Sequence, residues 1–435
     1  MKLRPYQLRA IDGVRAAFKR TKRVLLVMPT GGGKTATASV LITGSHAKGW
    51  PVLFLVHRRE IVMDTVRRIR AAGVPCGVIM AGETRTDAPV QVASVQTVAA
   101  RDAYPAARFI VWDEAHHTAA ETYRSIAAQY PDAFHLGLTA TPERSDRRGL
   151  RDAFDEMVIG AATGELCDLG VIAPVVVVGP AKRQSELSME PLDAWRRHGE
   201  GRPTVAFLDS IESSKELAAA IGTGAVHLDG ATSVRDRAEM LRAFNAGEVH
   251  TLCNVFVLTE GWDAPHVETI ILGRGCTAAG TFLQIIGRGR RTDPRNPGKR
   301  CTLVDLCGAV HEHGMPDEDR TFSLDGIARD AEKKKLWIRQ CAECGAVFEG
   351  ARYPRTCPNG HELPPAKRKR VAAREVSTID RTIPRSEMQR YFNHLSAMAR
   401  ARGWKPAAVG VRFKERFGFW PNGYTFTPTE EWKAS

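Results

Sequence analysis

Three groups of residues carry chemistry by type and spacing. The first is the stretch VMPTGGGKTAT, residues 27–37. Glycines at 31, 32 and 33 let backbone N–H groups close on an anion, Lys34 can neutralise the outer phosphates of a nucleoside triphosphate, and the Thr35 hydroxyl can ligate Mg2+. The strict eight-residue phosphate-loop pattern wants glycine where this chain has Met28, so the pattern alone leaves a bare glycine-rich turn open. The second group is Asp113 and Glu114, which follow the apolar run FIVW. Adjacent acids at the carboxyl edge of a strand can divide the labour, one holding a metal and the other taking a proton from water. The third is Cys341, Cys344, Cys357 and His361, spaced C-x2-C-x12-C-x3-H. Two knuckles of this kind can place four ligands tetrahedrally around a structural Zn2+. Gly360 stands where the usual ribbon has its fourth cysteine, so His361 must take over one residue later. A redox pair at Cys341 and Cys344 is the alternative.

These groups need strands and helices to hold them. RVLLVM ends at the glycine loop and KTATASVLITGSHA reads as a helix that begins in it. The runs PVLFLV, VQVAS, RFIVWD and HLGLTA follow, each separated by helix-forming stretches, and a second series begins near Pro203 with TVAFL, HTLCNV, VETIIL and CTLVD. Alternation of this kind predicts parallel strands with crossover helices in two α/β domains. Strand periodicity lapses between about 179 and 202, which sets the boundary: one domain over 1–180 and another over 200–310. After Asp305 the alternation stops; 310–337 is charged and predicted helical in part, 338–363 holds the cysteine module, and 364–385 reads as a basic linker. Beyond it, Met388, Phe392, Leu395 and Ala399 share one helical face, so 386–435 is a small helical module rich in basic and aromatic residues. Its aromatics, Trp404, Phe413, Phe417 and Trp420 among them, are expected to form its core rather than stack on bases.

The chain has 435 residues and a formal net charge of +13, which favours a polyanionic partner. Much of the excess lies between residues 364 and 416, where fourteen Lys or Arg face four acids, a net of +10. Nine scattered cysteines do not make a secreted disulfide framework. The amino end MKLRPYQLRA lacks an apolar core, and no apolar run approaches the roughly 18 residues that cross a bilayer, so a soluble cytoplasmic protein without a membrane partner is expected.

In order along the chain stand LRPYQ, MPTGGGKT, HRRE, DEAH, TAT, TEGWDAP and QIIGRGRR. This series resembles the superfamily 2 helicases of the DEAD/DEAH type, from about Leu3 to Asp305, and among them the RadD-like and phage-type helicases, which also carry cysteine clusters after the motor. The resemblance implies two RecA-like domains in tandem, followed by the zinc-ribbon-like and helical modules. It implies that Arg4 and Gln7 contact adenine; that Thr30, Gly31, Gly32, Gly33 and Lys34 hold phosphates; that Thr35 and Asp113 hold Mg2+; and that Glu114 activates water. His116 would link this site to Thr139 and Thr141. Gln284, Arg288 and Arg291 stand at the spacing of a water-positioning glutamine and two arginine fingers, following a predicted helix. Gly261 and Asp263 would sit beside the ribose. His57, Arg58, Ser94, Gln96, Asn254 and Thr259 would touch nucleic acid.

The expected activity is therefore an ATP-dependent DNA helicase or translocase in repair, recombination or phage replication, with DNA favoured over RNA and a protein partner possible through the carboxyl-terminal region. An RNA helicase, a restriction motor and a zinc-containing nucleic-acid-binding protein are the alternatives. The restriction motor is set aside because no nuclease cluster of acids and lysine is evident.

Overall fold

The computed structural model describes residues 3–57, 59–118, 120–142, 149–184, 186–259, 262–326, 338–349, 356–363, 385–404, 407–417 and 421. Two compact units divide the chain, Met1–Pro364 and Pro365–Ser435.

The first sheet is built from β1 (Arg23–Val27), β2 (Val52–Val56), β3 (Cys76–Ile79), β4 (Val90–Ser94), β5 (Phe109–Trp112), β6 (Phe134–Thr139) and β7 (Glu156–Ile159), in the order β3-β4-β2-β5-β6-β1-β7. Every pairing is parallel. Parallel strands covered on both faces bury every side chain, which is why VLFLV and FIVW read as continuous apolar runs rather than alternating ones. Parallel pairing also brings all the carboxyl ends to one edge. The glycine loop after β1, Asp113 after β5 and Thr139 at the end of β6 therefore become neighbours although more than 100 residues separate the first from the last.

The second sheet contains β8 (Val175–Val178), β9 (Thr204–Leu208), β10 (Ala225–Leu228), β11 (Thr251–Asn254), β12 (Thr269–Gly273), β13 (Cys301–Asp305), β14 (Ile338–Gln340) and β15 (Ala346–Glu349), in the order β10-β11-β9-β12-β13-β8-β15-β14. Its first six members pair in parallel; β15 runs antiparallel against β8 and β14. One expectation is corrected here. The boundary near residue 180 is too late, because VVVV at 175–178 pairs with β13 and belongs to the second sheet. The hairpin of the cysteine module continues that sheet, with Ala346 opposite Val178.

The segment QIIGRG lies within the helix Ala279–Gly289 rather than after one, and buries Gln284 and Arg288. Of the charged stretch 310–337, residues 310–313 form a short helix, 314–326 are not helical, and 327–337 lie outside the described residues. The second unit has helices Arg385–Ala401 and Ala407–Phe417 around Leu395, Val409, Phe413 and Phe417, so these two aromatics do serve as core. The Arg412 guanidinium covers Trp404 at 3.9 Å. Trp420 and residues 364–384 of the basic linker lie outside the described residues. Among the described residues no helix is long and apolar enough to cross a membrane.

Candidate nucleotide cleft and nucleic-acid edge

The glycine loop closes because two of its residues take a backbone conformation that side chains resist. Gly31 and Gly33 have φ of +88° and +86°, and the helix Lys34–His46 starts directly from Gly33. A Cβ on Gly33 would stand 2.5 Å from Gln7 Nε2, so the buried Gln7 is seated against the loop. Its Oε1 accepts the Arg4 backbone N–H at 2.9 Å, and Tyr6 Oη donates to the Gly32 carbonyl at 2.9 Å. The helix Pro5–Ala17 thus braces the loop from behind, while the Arg4 residue is exposed.

A cleft of about 520 Å3 opens between the two sheets. From the first it is lined by Thr30, Gly31, Gly33, Lys34, Thr35, Asp113 and Glu114; from the second by Trp262, Asp263, Arg288 and Arg291. Lys34 Nζ is folded back onto the Met28 carbonyl at 3.3 Å. Burial pulls its amine below the usual lysine range, with Glu114 and Asp113 opposing the shift and Arg288 and Arg291 adding to it. Glu114 adopts a left-handed φ of +46°, a conformation a non-glycine residue holds only when its surroundings impose it. Its Oε2 is buried and makes no hydrogen bond among the described residues; His116 Nδ1 stands 3.5 Å from it.

His116 is the junction of the site. Its Nδ1 lies 3.4 Å from Thr139 Oγ1, and Gln284 Nε2 reaches its Nε2 at 3.5 Å from the second sheet. Thr139 Oγ1 in turn donates to the Thr141 carbonyl at 2.6 Å and accepts the Thr141 N–H at 3.1 Å. Arg288 donates to the carbonyls of Thr259 at 3.0 Å and Trp262 at 2.7 Å, and Arg291 pairs with Asp263. Burial brings Arg291 down to about 10, helped by Arg68 and opposed by Asp64. Gly287, one turn before Arg291, presses on Thr30: a Cβ there would lie 2.7 Å from Thr30 Cβ.

On the same edge, Ser94 Oγ donates to Gln96 Oε1 at 2.9 Å and Gln96 Nε2 meets His57 Nδ1 at 3.0 Å. The His57 ring stacks on His117 at 5.1 Å, and His117 lies 4.2 Å from His116. Asn254 corrects its expected role. It is fully buried, donates to the Ala206 carbonyl at 2.9 Å and accepts the Leu258 N–H at 3.2 Å, so it shapes a loop instead of touching a strand. Thr259, also buried, turns its hydroxyl to the Phe256 carbonyl at 3.1 Å. Arg58 and Gly261 lie outside the described residues.

Sequence reasoning missed His117, although the doubled histidine of DEAHH was a signal, and it missed Asp64 and Arg68 of the helix Arg59–Ala71, which line the cleft. It also missed Arg290, buried against the Ala173 and Pro316 carbonyls and paired with Asp317. Away from the cleft, one ligand atom each from Cys341, Cys344, Cys357 and His361 gathers within 4.8 Å, and the backbone N–H of Cys344, first among several donors, brings the Cys341 thiol down to about 7.

Residues 1–144 match the family model described as "Type III restriction enzyme, res subunit", and 187–293 match "Helicase conserved C-terminal domain". A 51.5 kDa protein of a Lactococcus phage (isolate 7-9) is 27% identical over 354 residues, 74% of this chain and 75% of the relative. IRC3 of Saccharomyces cerevisiae, which carries the name of an ATP-dependent helicase, is 28% identical over 357 residues, 71% of this chain and 52% of the relative. A DNA 3'-5' translocase, XPB2 of Sulfurisphaera tokodaii, is 30% identical over 154 residues, 34% of this chain and 32% of the relative. In fold, the chain is similar to the ATP-dependent Type ISP restriction-modification enzyme LlaBIII bound to DNA, with TM-score 0.53 and 18% identity over 71% of this chain and 28% of that one. The chain thus spans about three quarters of the phage relative and about half of the yeast one. Restriction enzymes, set aside on the sequence, are thus among the proteins to which this chain is similar.

Proposed function

This chain belongs to the superfamily 2 helicases, and from that membership we propose that it is an ATP-driven DNA motor that translocates on or unwinds its substrate in repair, recombination or phage replication. One observation carries the reading: neither sheet holds a complete hydrolytic site, and the 520 Å3 cleft is complete only when Lys34, Thr35, Asp113 and Glu114 face Arg288 and Arg291. Loop N–H groups and Lys34 would hold the phosphates, and Gln7, seated against Gly33, would contact the base. Thr35 and Asp113 would hold Mg2+, which supplies charge neutralisation at the phosphates when bound. The buried Glu114 Oε2, without a hydrogen-bond donor of its own, suits it to orient water and take its proton. Arg288 and Arg291 would set positive charge against the negative charge that develops on the transferred phosphoryl group.

Closing and loosening of this cleft would then move one domain against the other along a strand lying on the carboxyl edges. His57 and Gln96 of the first sheet lie on that path. The net charge of +13 suits a nucleic acid of either kind, and the named DNA activity of the translocase relative favours DNA over RNA. Cys341, Cys344, Cys357 and His361 have the donor chemistry of a structural Zn2+ site, which would lock the β14–β15 hairpin onto the second sheet. The basic linker and tail would add a grip for DNA or a protein partner. Assembly as the motor of a restriction system is the second reading, favoured by the family model over 1–144.

The test is the steady-state ATPase rate of the full chain with no nucleic acid, single-stranded DNA, forked DNA and RNA, beside Glu114→Gln. Stimulation by one DNA form and loss of hydrolysis in the variant are expected. Stimulation by RNA alone, or hydrolysis that survives the variant, would overturn the reading.

A further inference from the structure

The loop after β11 contains a residue that no ATPase motif accounts for. Asn254 pins both ends of the excursion through its bonds to Ala206 and Leu258, and Leu258 is buried in the core. Between them Phe256 stands out at 50% exposure with a φ of +58°. Glycine would take that conformation freely; a large aromatic residue does not, and strain of this kind persists chiefly where a function needs the side chain aimed.

One face of the Phe256 ring is already covered. The Arg274 guanidinium, from the turn after β12, sits 3.1 Å from the ring centroid. Arg274 donates to the Gly275 carbonyl, its Nη1 is buried without a hydrogen-bond partner, and its charge interacts favourably with Asp209 after β9. Strands β11, β9 and β12 are adjacent, so Phe256, Asp209 and Arg274 crowd one stretch of the carboxyl edge, and Thr259 of the same loop bonds to the Phe256 carbonyl. The result is a flat aromatic surface backed by a cation, with its exposed side on the edge where parallel α/β sheets bind ligands.

We propose that Phe256, backed by Arg274, is a stacking platform for a nucleobase of the bound single strand. It rests on the reading of this chain as a nucleic-acid motor and gives the second domain a contact to bases. Stacking on a phenyl ring does not distinguish one base from another, which suits a motor that must move along any sequence.

The experiment measures affinity of the full chain for two fluorescent twelve-residue strands at fixed salt: dT12 and the same sugar-phosphate chain without bases. Phe256→Ala should weaken dT12 about tenfold, within the roughly 5- to 150-fold that one base on one aromatic side chain is worth, and leave the abasic strand unchanged. Phe256→Trp should restore dT12 binding. Phe256→Gly should weaken dT12 equally while its melting temperature is no lower than that of the unmodified protein, because the strain is relieved. Equal loss on both strands, no loss on either, or failure of the Trp variant would overturn the platform. Absence of binding to either strand by the unmodified protein would instead overturn the nucleic-acid reading on which it rests.

Discussion

Two glycines on one helix should behave in opposite ways. Gly287 and Gly289 both lie in Ala279–Gly289, but they face different partners. A Cβ at 289 would fall on Cys301 Sγ and 3.0 Å from Ile270 Cδ1, both inside the second sheet's own core. A Cβ at 287 would stand 2.7 Å from Thr30, across the cleft in the first domain. Ordinary contact begins near 3.4 Å, so the two walls must separate by at least about 0.7 Å. Overpacking of this kind costs about 1–3 kcal/mol. Here the cost can be escaped by opening the cleft, so it falls on the closed state and not on the fold. At about 2 kcal/mol the closed population drops roughly 30-fold, and kcat/KM for ATP should drop with it. The melting temperature of Gly287→Ala should hold or rise slightly, since alanine gains about 0.5–1 kcal/mol over glycine within a helix. Gly289→Ala should instead lower it by several degrees. ATPase kinetics with single-stranded DNA, beside thermal melts of both variants, decide the matter. A Gly287→Ala protein with unchanged kcat/KM, or one that melts as early as Gly289→Ala, would refute the inference that this contact belongs to a closing cleft.

Arg291→Ala should lower kcat by about a thousandfold, because its charge faces the cleft, paired with Asp263, and single-turnover hydrolysis reads that loss. Cys341→Ser should release bound zinc, measured by metal analysis, and lower the melting temperature through the β14–β15 hairpin that edges the second sheet. His117→Ala should shrink the ratio of DNA-stimulated to unstimulated ATPase several-fold, since its ring bridges His57 and His116. Arg23 holds the Asp155 carboxyl below the usual range, so their pair stabilises the fold above the ordinary aspartate pKa and loses that contribution as pH falls through the depressed value. Both partners are largely exposed; Asp155→Asn should therefore cost no more than about 1 kcal/mol in urea melts near neutral pH, and the difference should close as the pH drops below about 4.

The sequence displayed those parts of the fold whose strands are buried on both faces, because a run such as VLFLV has little other use. It hid β3, β7 and β10, which lie at or toward sheet edges and read CGVI, EMVI and AVHL, with glycine, glutamate or histidine interrupting the apolar run. It misassigned β8 for a different reason. VVVV is unmistakable as a strand, but which sheet it joins depends on pairing with β13 more than 120 residues later, and periodicity has no memory over that distance. The site divides the same way. Lys34, Asp113, Glu114 and Arg288 announce themselves by type and spacing, whereas Asn254 looks like a ligand until its amide is found occupied on both sides. Phe256 gave no signal at all: an aromatic residue in an apolar loop is ordinary until its φ is known.

The contacts also explain how a strand could govern hydrolysis without touching the nucleotide. Ser94, Gln96, His57, His117 and His116 form one connected series along the first sheet's carboxyl edge, and Gln284 joins it from the second domain. The series is made of hydrogen bonds, which tolerate little displacement before they are lost, and of close histidine ring contacts. On the proposed reading, a strand that ordered His57 and Gln96 would restrict His116, and His116 lies 3.5 Å from both Glu114 Oε2 and Gln284 Nε2. Placing Glu114 and holding the second domain closed become consequences of the same contact, so the unbound protein should hydrolyse ATP slowly because the cleft it needs is only intermittently assembled.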